Sequence, residues 1–190
     1  MITFYTGDPG AGKSTAGLAL SHGPRTARRD GGHEVPVLSI GHEIRHYAPQ
    51  QLTGGHFGPE DFVRGMVRGL WTTRGPVVVD GFPRRPLQVQ DVLYVHDRIV
   101  SSGMPGVSIV WMSIDPDEAV RRYLAVGATA CVECGNIAQH GRSCACGGVD
   151  TDPEVGKWYT RRRRLQSHDL QSTRAELRFH PRLQVQEVQA

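Results

Sequence analysis

Eight residues near the start of the chain, Gly7-Asp8-Pro9-Gly10-Ala11-Gly12-Lys13-Ser14, constrain its fold more than any other segment. They match the pattern G-x-x-x-x-G-K-[ST] in full, and the flanks fit: a β-rich run, Ile2 to Thr6, precedes them and a helical pattern follows. The residue types are those the chemistry needs. Glycines let backbone N–H groups turn inward around phosphate oxygens where side chains would obstruct them. The following helix aims its positive end at the same anion. Lys13 reaches the terminal phosphates, and Ser14 offers a hydroxyl to Mg²⁺. A loop of this kind needs a buried strand behind it, so the chain is expected to be α/β.

The rest of the sequence alternates accordingly. Strands are expected over 2–6, 35–40, 76–80, 107–114 and 183–188, with helices over 14–21, 43–47, 60–71, 87–101, 116–126 and 153–175. Apolar strands alternating with helices imply a parallel five-stranded sheet covered by helices on both faces. Two stretches break the rhythm. Residues 46–59 are rich in Gly, Gln and His, and 127–153 hold all four cysteines. Both read as insertions at a ligand cleft above the strand ends. The chain thus reads as one domain, with a core of 1–45, 60–126 and 154–190, an insertion at about 39–60 and another at about 127–153.

At 190 residues it can bury a sizeable core without disulfide staples. No apolar run is long enough to span a membrane, and Met1-Ile2-Thr3-Phe4-Tyr5 lacks the basic start of a secretory signal, so a cytoplasmic protein is expected. Net charge is +3, and nearly all positive charge is arginine, the lysines being Lys13 and Lys157. The run Arg161-Arg162-Arg163-Arg164 lacks interleaved aromatic residues, so no nucleic-acid partner is expected. A monomer is expected.

Asp80 ends the apolar run Pro76 to Val79. A carboxylate at the carboxyl end of a buried strand, beside a phosphate loop, reads as the acid that holds Mg²⁺ or its water. The cysteines form Cys131-x-x-Cys134 and Cys144-x-Cys146, within 16 positions. Four sulfurs can close a tetrahedral zinc site, with His140 as a spare ligand. His42, His46 and His56 read as solvent-facing loop histidines, and Trp71, Trp111 and Trp158 as packing residues.

The segment Val78-Val79-Asp80-Gly81-Phe82-Pro83-Arg84, with Gln88 four residues on, resembles the signature of the adenylate kinase family, one of the P-loop kinases. Gly7-x-Pro9-Gly10-x-Gly12-Lys13 resembles that family's phosphate loop, and Ser39-Ile40-Gly41-His42-Glu43-Ile44-Arg45 its acceptor segment. Cys131 to Gly135 resembles the first half of the zinc-bearing lid of some members. The resemblance runs from Met1 to about Leu165. It implies ATP as donor and a nucleoside monophosphate, AMP first among them, as acceptor. It also implies roles. Gly7, Pro9, Gly10, Ala11, Gly12, Lys13, Ser14, Thr15 and Arg122 (or Arg121) would bind ATP. Ser39, Gly41, Arg45, Gly81, Phe82, Arg84 and Gln88 would bind the acceptor. Lys13, Arg45, Arg84, Arg122, Asp80 and one of the arginines 161–164, Arg161 first, would be catalytic. Spacing adds that Arg84 and Gln88, at i and i+4, could face one cleft from one helix.

The departures are as informative. Residues 45–59 are fewer than the family's usual acceptor region, the second cysteine pair is one residue tighter, and expected lid arginines are replaced by Ala130 and Val149. Asp8 is acidic where that loop position is normally small and neutral. A kinase for a hydroxyl group of a small metabolite or nucleoside, with Asp8, Glu43 or Asp61 as base, is therefore the alternative. A nucleotide-binding protein with little turnover is the second.

Overall fold

A computed structural model describes residues 1–21, 35–47, 60–73, 75–132, 137–139, 151–152 and 154–190. The strands are β1 (Ile2–Gly7), β2 (Val37–Ser39), β3 (Val77–Asp80), β4 (Val107–Ser113), β5 (Ala128–Cys131), β6 (Ile137–Gln139), β7 (Thr151–Asp152) and β8 (Gln184–Gln189). The α-helices are α1 (Lys13–Ser21), α2 (Ile40–Tyr47), α3 (Glu60–Gly69), α4 (Pro86–Ser101), α5 (Pro116–Ala125) and α6 (Val155–Phe179).

Five strands form the expected parallel sheet, in the order β2-β3-β1-β4-β8. The chain winds one way from β1 to β2 and β3 and the other way to β4 and β8, so the sheet splits above the end of β1. That is where such folds open a ligand crevice. The central strands are apolar runs because helices cover both their faces: Phe4, Val78, Val79 and Ile109 are essentially solvent-free. The edge strand β8, Gln-Val-Gln-Glu-Val-Gln, is polar instead and mostly exposed, with Val185 and Val188 half-buried. Val92 and Val95 of α4 and Leu177 of α6 complete the main core.

Helix starts follow local chemistry. Asp115 caps α5 by accepting from the N–H groups of Asp117 and Glu118, and Pro116 occupies the first turn. Two helices exceed their expected bounds. α2 begins at Ile40, directly where β2 ends, and α6 runs on to Phe179. Within 127–153, read from sequence as an insertion, the described residues include a three-stranded antiparallel sheet in the order β6-β5-β7. Its strands are only two to four residues long, too short to leave a period in the sequence. Among the described residues no helix is long and apolar enough to cross a membrane.

Candidate functional site

The phosphate loop hangs between the ends of β1 and β4. The Asp8 N–H donates to the Met112 carbonyl at 2.9 Å, and the Asp8 carboxylate accepts from the Ile114 N–H at 3.2 Å. Gly7 has φ +114°, and a Cβ there would collide with the Met112 carbonyl, so the loop can pack this closely only as glycine. The acidic residue that departs from the family pattern therefore ties the loop to the neighbouring strand.

The loop opens on a cleft of about 360 Å³. Pro9, Gly10, Gly12, Lys13, Ser14 and Thr15 of the loop and α1 line it, with Ser39, Gly41, Asp80 and Arg84 from around β2 and β3, and Tyr123, Ile137 and Arg162 from α5, β6 and α6. Lys13 is buried, and its Nζ donates to the carbonyls of Gly7 (3.2 Å) and Asp8 (2.5 Å). Burial foremost, then the Arg84 guanidinium, pushes its pKa down to about 7, against the opposing pull of Asp80.

Asp80 Oδ2 accepts from the Ser14 hydroxyl at 2.5 Å and from the Ser39 hydroxyl at 3.3 Å. Ser39 and Asp80 are register partners on β2 and β3, so the sheet itself brings Ser39 to the carboxylate. Two hydroxyls and a carboxylate are hard oxygen donors, the type Mg²⁺ takes. Arg84 is aimed by the turn after β3: the Gly81 N–H donates to the Tyr5 carbonyl at 2.8 Å, and the Thr6 hydroxyl donates to the Pro83 carbonyl.

Several sequence-derived positions come out differently. α4 starts at Pro86, so Arg84 precedes the helix and does not share a helix face with Gln88. Gln88 is 4% exposed, and both ends of its amide meet protein. Its Oε1 accepts from the N–H groups of Arg84 (2.8 Å) and Arg85 (3.3 Å), and its Nε2 donates to Glu60 at 3.3 Å. Phe82 turns into the core against Phe4, ring centroids 6.0 Å apart. Ala11 is likewise buried and lines a second hollow of about 500 Å³, with Gly12, Thr15 and Arg122. Arg122 pairs with Glu118 at 2.8 Å there, while Arg121 stays largely exposed.

Among the basic run, Arg162 reaches the cleft. Arg161 lies over the Trp158 ring at 5.5 Å instead. The Arg162 Nε is buried with no hydrogen-bond partner among the described residues. Four successive helical residues point in four directions, and the sequence holds no local mark of which one faces inward.

Other residues named from sequence fall away from the cleft. Asp61 is fully exposed and His42 stacks near His46 on α2, while Trp111 is buried in β4. The side chain of Arg45, His56, His140 and three of the four cysteines (Cys134, Cys144 and Cys146) lie outside the described residues. Cys131 is buried at the end of β5. Among the described residues no cluster of three or more His, Cys, Asp or Glu could hold a metal ion.

No family model matches the chain. Curated relatives do. The adenylate kinase of a Synechococcus strain is 32% identical over 127 residues, covering 65% of this chain and 67% of that protein. That of Gemmatimonas aurantiaca is 28% identical over 179 residues, covering 82% and 77%, and that of Elusimicrobium minutum 24% over 159 residues, covering 79% and 72%. Among solved structures, the APS kinase of Mycobacterium tuberculosis matches 64% of this chain and 66% of its own, at 19% identity and a TM-score of 0.42. The shikimate kinase of Aquifex aeolicus matches 89% and 82%, at 16% identity and a TM-score of 0.40. With a phosphate loop, a carboxylate and cations around one cleft on a parallel sheet, the chain belongs to the adenylate kinase family and is an ATP-dependent phosphotransferase.

Proposed function

We propose that the chain transfers the γ-phosphoryl group of ATP to a nucleoside monophosphate, AMP first among acceptors. An acceptor phosphate oxygen forms the new P–O bond, the bond between the β-phosphate oxygen and the γ-phosphorus breaks, and ADP leaves. An ionised phosphate oxygen is already a nucleophile, so this reaction needs cations rather than a general base. One observation carries the reading. Lys13, Arg84 and Arg162 line the cleft, and among the described residues Asp80 is the only carboxylate lining it, already engaged by Ser14 and Ser39. Asp8, the candidate base of a hydroxyl-directed kinase, is turned to Ile114 instead. That favours a phosphate acceptor over a hydroxyl acceptor.

In this reading Lys13 holds the transferring phosphate, Arg84 the acceptor phosphate, and Arg162 the charge that develops between them. Ser14 and Asp80 hold Mg²⁺, whose bound charge offsets that of the donor phosphates. Arg45 would reach the acceptor from α2, and Arg122 would pack on the donor base. The expected partners are ATP and a small acceptor in the cytoplasm. Incubation with γ-labelled ATP and a panel of acceptors tests this. Label in a nucleoside diphosphate supports it, and label only in an unphosphorylated acceptor transfers the assignment to the hydroxyl-directed reading.

We also propose a structural zinc held by Cys131, Cys134, Cys144 and Cys146. What supports it is the return of the chain. Cys131 pairs with Thr151 across β5 and β7, five residues after Cys146, and β6 begins three residues after Cys134. Elemental analysis of protein purified without chelator should give about one equivalent. Less than half an equivalent, with unchanged activity in Cys131→Ser, overturns it.

A further inference from the structure

The phosphate loop is also gripped from behind. Tyr159 lies one turn into α6, 150 residues from the loop, and is 1% exposed. Its hydroxyl donates to the Pro9 carbonyl at 3.1 Å. The direction is fixed, because a carbonyl can only accept. Burial pushes the phenol pKa up to about 12, so the donor keeps its proton throughout the neutral range.

The Pro9–Gly10 peptide is trans, so its carbonyl and the Gly10 N–H point in opposite directions. Gly10 lines the cleft and has φ +79°. A peptide next to glycine rotates easily, since no Cβ resists the turn. An unpinned loop could therefore turn this carbonyl, with its partial negative charge, toward the phosphates. Tyr123 braces the same spot, its ring 6.0 Å from that of Tyr159 and its edge 3.2 Å from where a Gly10 Cβ would stand.

We infer that Tyr159 is a positioning residue: it holds the Pro9 carbonyl outward so that the Gly10 N–H stays turned to the donor phosphates. The inference rests on the phosphate role given to the loop above.

Calorimetric titration tests it, with ATP, inorganic tripolyphosphate and adenosine as probes. Tyr159→Phe keeps the ring and removes only the hydroxyl. It should weaken tripolyphosphate and ATP about tenfold each, with adenosine unchanged. Unchanged tripolyphosphate affinity in folded Tyr159→Phe overturns the inference alone. Equal weakening of adenosine and tripolyphosphate also overturns it, because a merely structural role would act on both. Failure of the wild type to bind tripolyphosphate overturns the loop's role as well. Should Tyr159→Phe not fold, Tyr159→Met carries the same reading.

Discussion

The phosphate loop and the contact between α3 and α4 are built by opposite means. In the loop, one contiguous stretch from Gly7 to Ser14 supplies the turn, its lysine and a hydroxyl that meets Asp80, and backbone contacts with β4 fix it. Between α3 and α4, helix is held against helix by charges far apart in sequence. Asp91 of α4 is 1% exposed and meets Arg68 of α3 at 2.7 Å and Arg64 at 3.4 Å. Glu60, the first residue of α3, meets Arg85 at 3.0 Å and Gln88 at 3.3 Å. The difference is one of information. A backbone cradle is specified by local residue types, whereas an ion-paired helix contact is specified by partnerships that look like ordinary surface charge until the chain folds.

Substitutions in the two regions should therefore fail differently. The largest effect is expected from Lys13→Ala, which removes the buried cation from the transferring phosphate. Turnover should fall by about a thousandfold or more with little loss of fold. Arg84→Ala should lower turnover by about a hundredfold on the best acceptor while ATP affinity, measured by calorimetry, stays within about twofold. An equal loss of ATP affinity would move Arg84 to the donor side. Asp91→Ala should act on stability instead. It leaves Arg68 without its anion and Arg64 with only the exposed Asp61 at 3.6 Å, at a cost of about 2 kcal/mol after allowing for their partial exposure, and the melting temperature should drop by roughly 5 °C. A wild-type melting temperature would show that the helix contact does not depend on this pair.

A further effect, spread over several pH units, concerns pH. Lys13 has a folded pKa of about 7, lowered from 10.5, so the unfolded chain binds the proton more tightly. Stability without nucleotide should therefore rise with pH between about 7 and 10.5 as far as this group is concerned. Donor phosphates favour the charged lysine, so ATP binding should take up a proton and weaken as pH rises above about 7, by at most about tenfold per pH unit. Calorimetry in buffers of different ionisation enthalpy reads the uptake directly, and no buffer dependence near pH 8 would contradict it.

The sheet, the loop, Lys13, Ser14 and Asp80 were legible in sequence because a strand, a tight turn and a helix start each leave a short-range mark. Gln88 was less so. Spacing put it near Arg84, but its partners are the N–H groups of Arg84 and Arg85, just ahead of α4, and Glu60, 28 residues away in sequence. Phe82 sits in a motif that points to the acceptor, yet its side chain is buried in the core against Phe4, far away in sequence. Arg162 could not be told from Arg161, since helical phase is invisible in a run of identical residues. Tyr159 left no signal at all: its hydrogen bond to the Pro9 carbonyl spans 150 positions.

The central claim is that one cleft holds both phosphate chains, with Lys13 on one and Arg84 on the other. Two adenosines joined by a five-phosphate chain test it most directly, because such a compound fills both halves at once. By calorimetry it should bind one to one and at least a hundredfold more tightly than ATP, as joining two binding events predicts. Arg84→Ala should remove most of that advantage without changing ATP affinity. Binding no tighter than that of ATP, or an advantage that survives Arg84→Ala, would contradict the account.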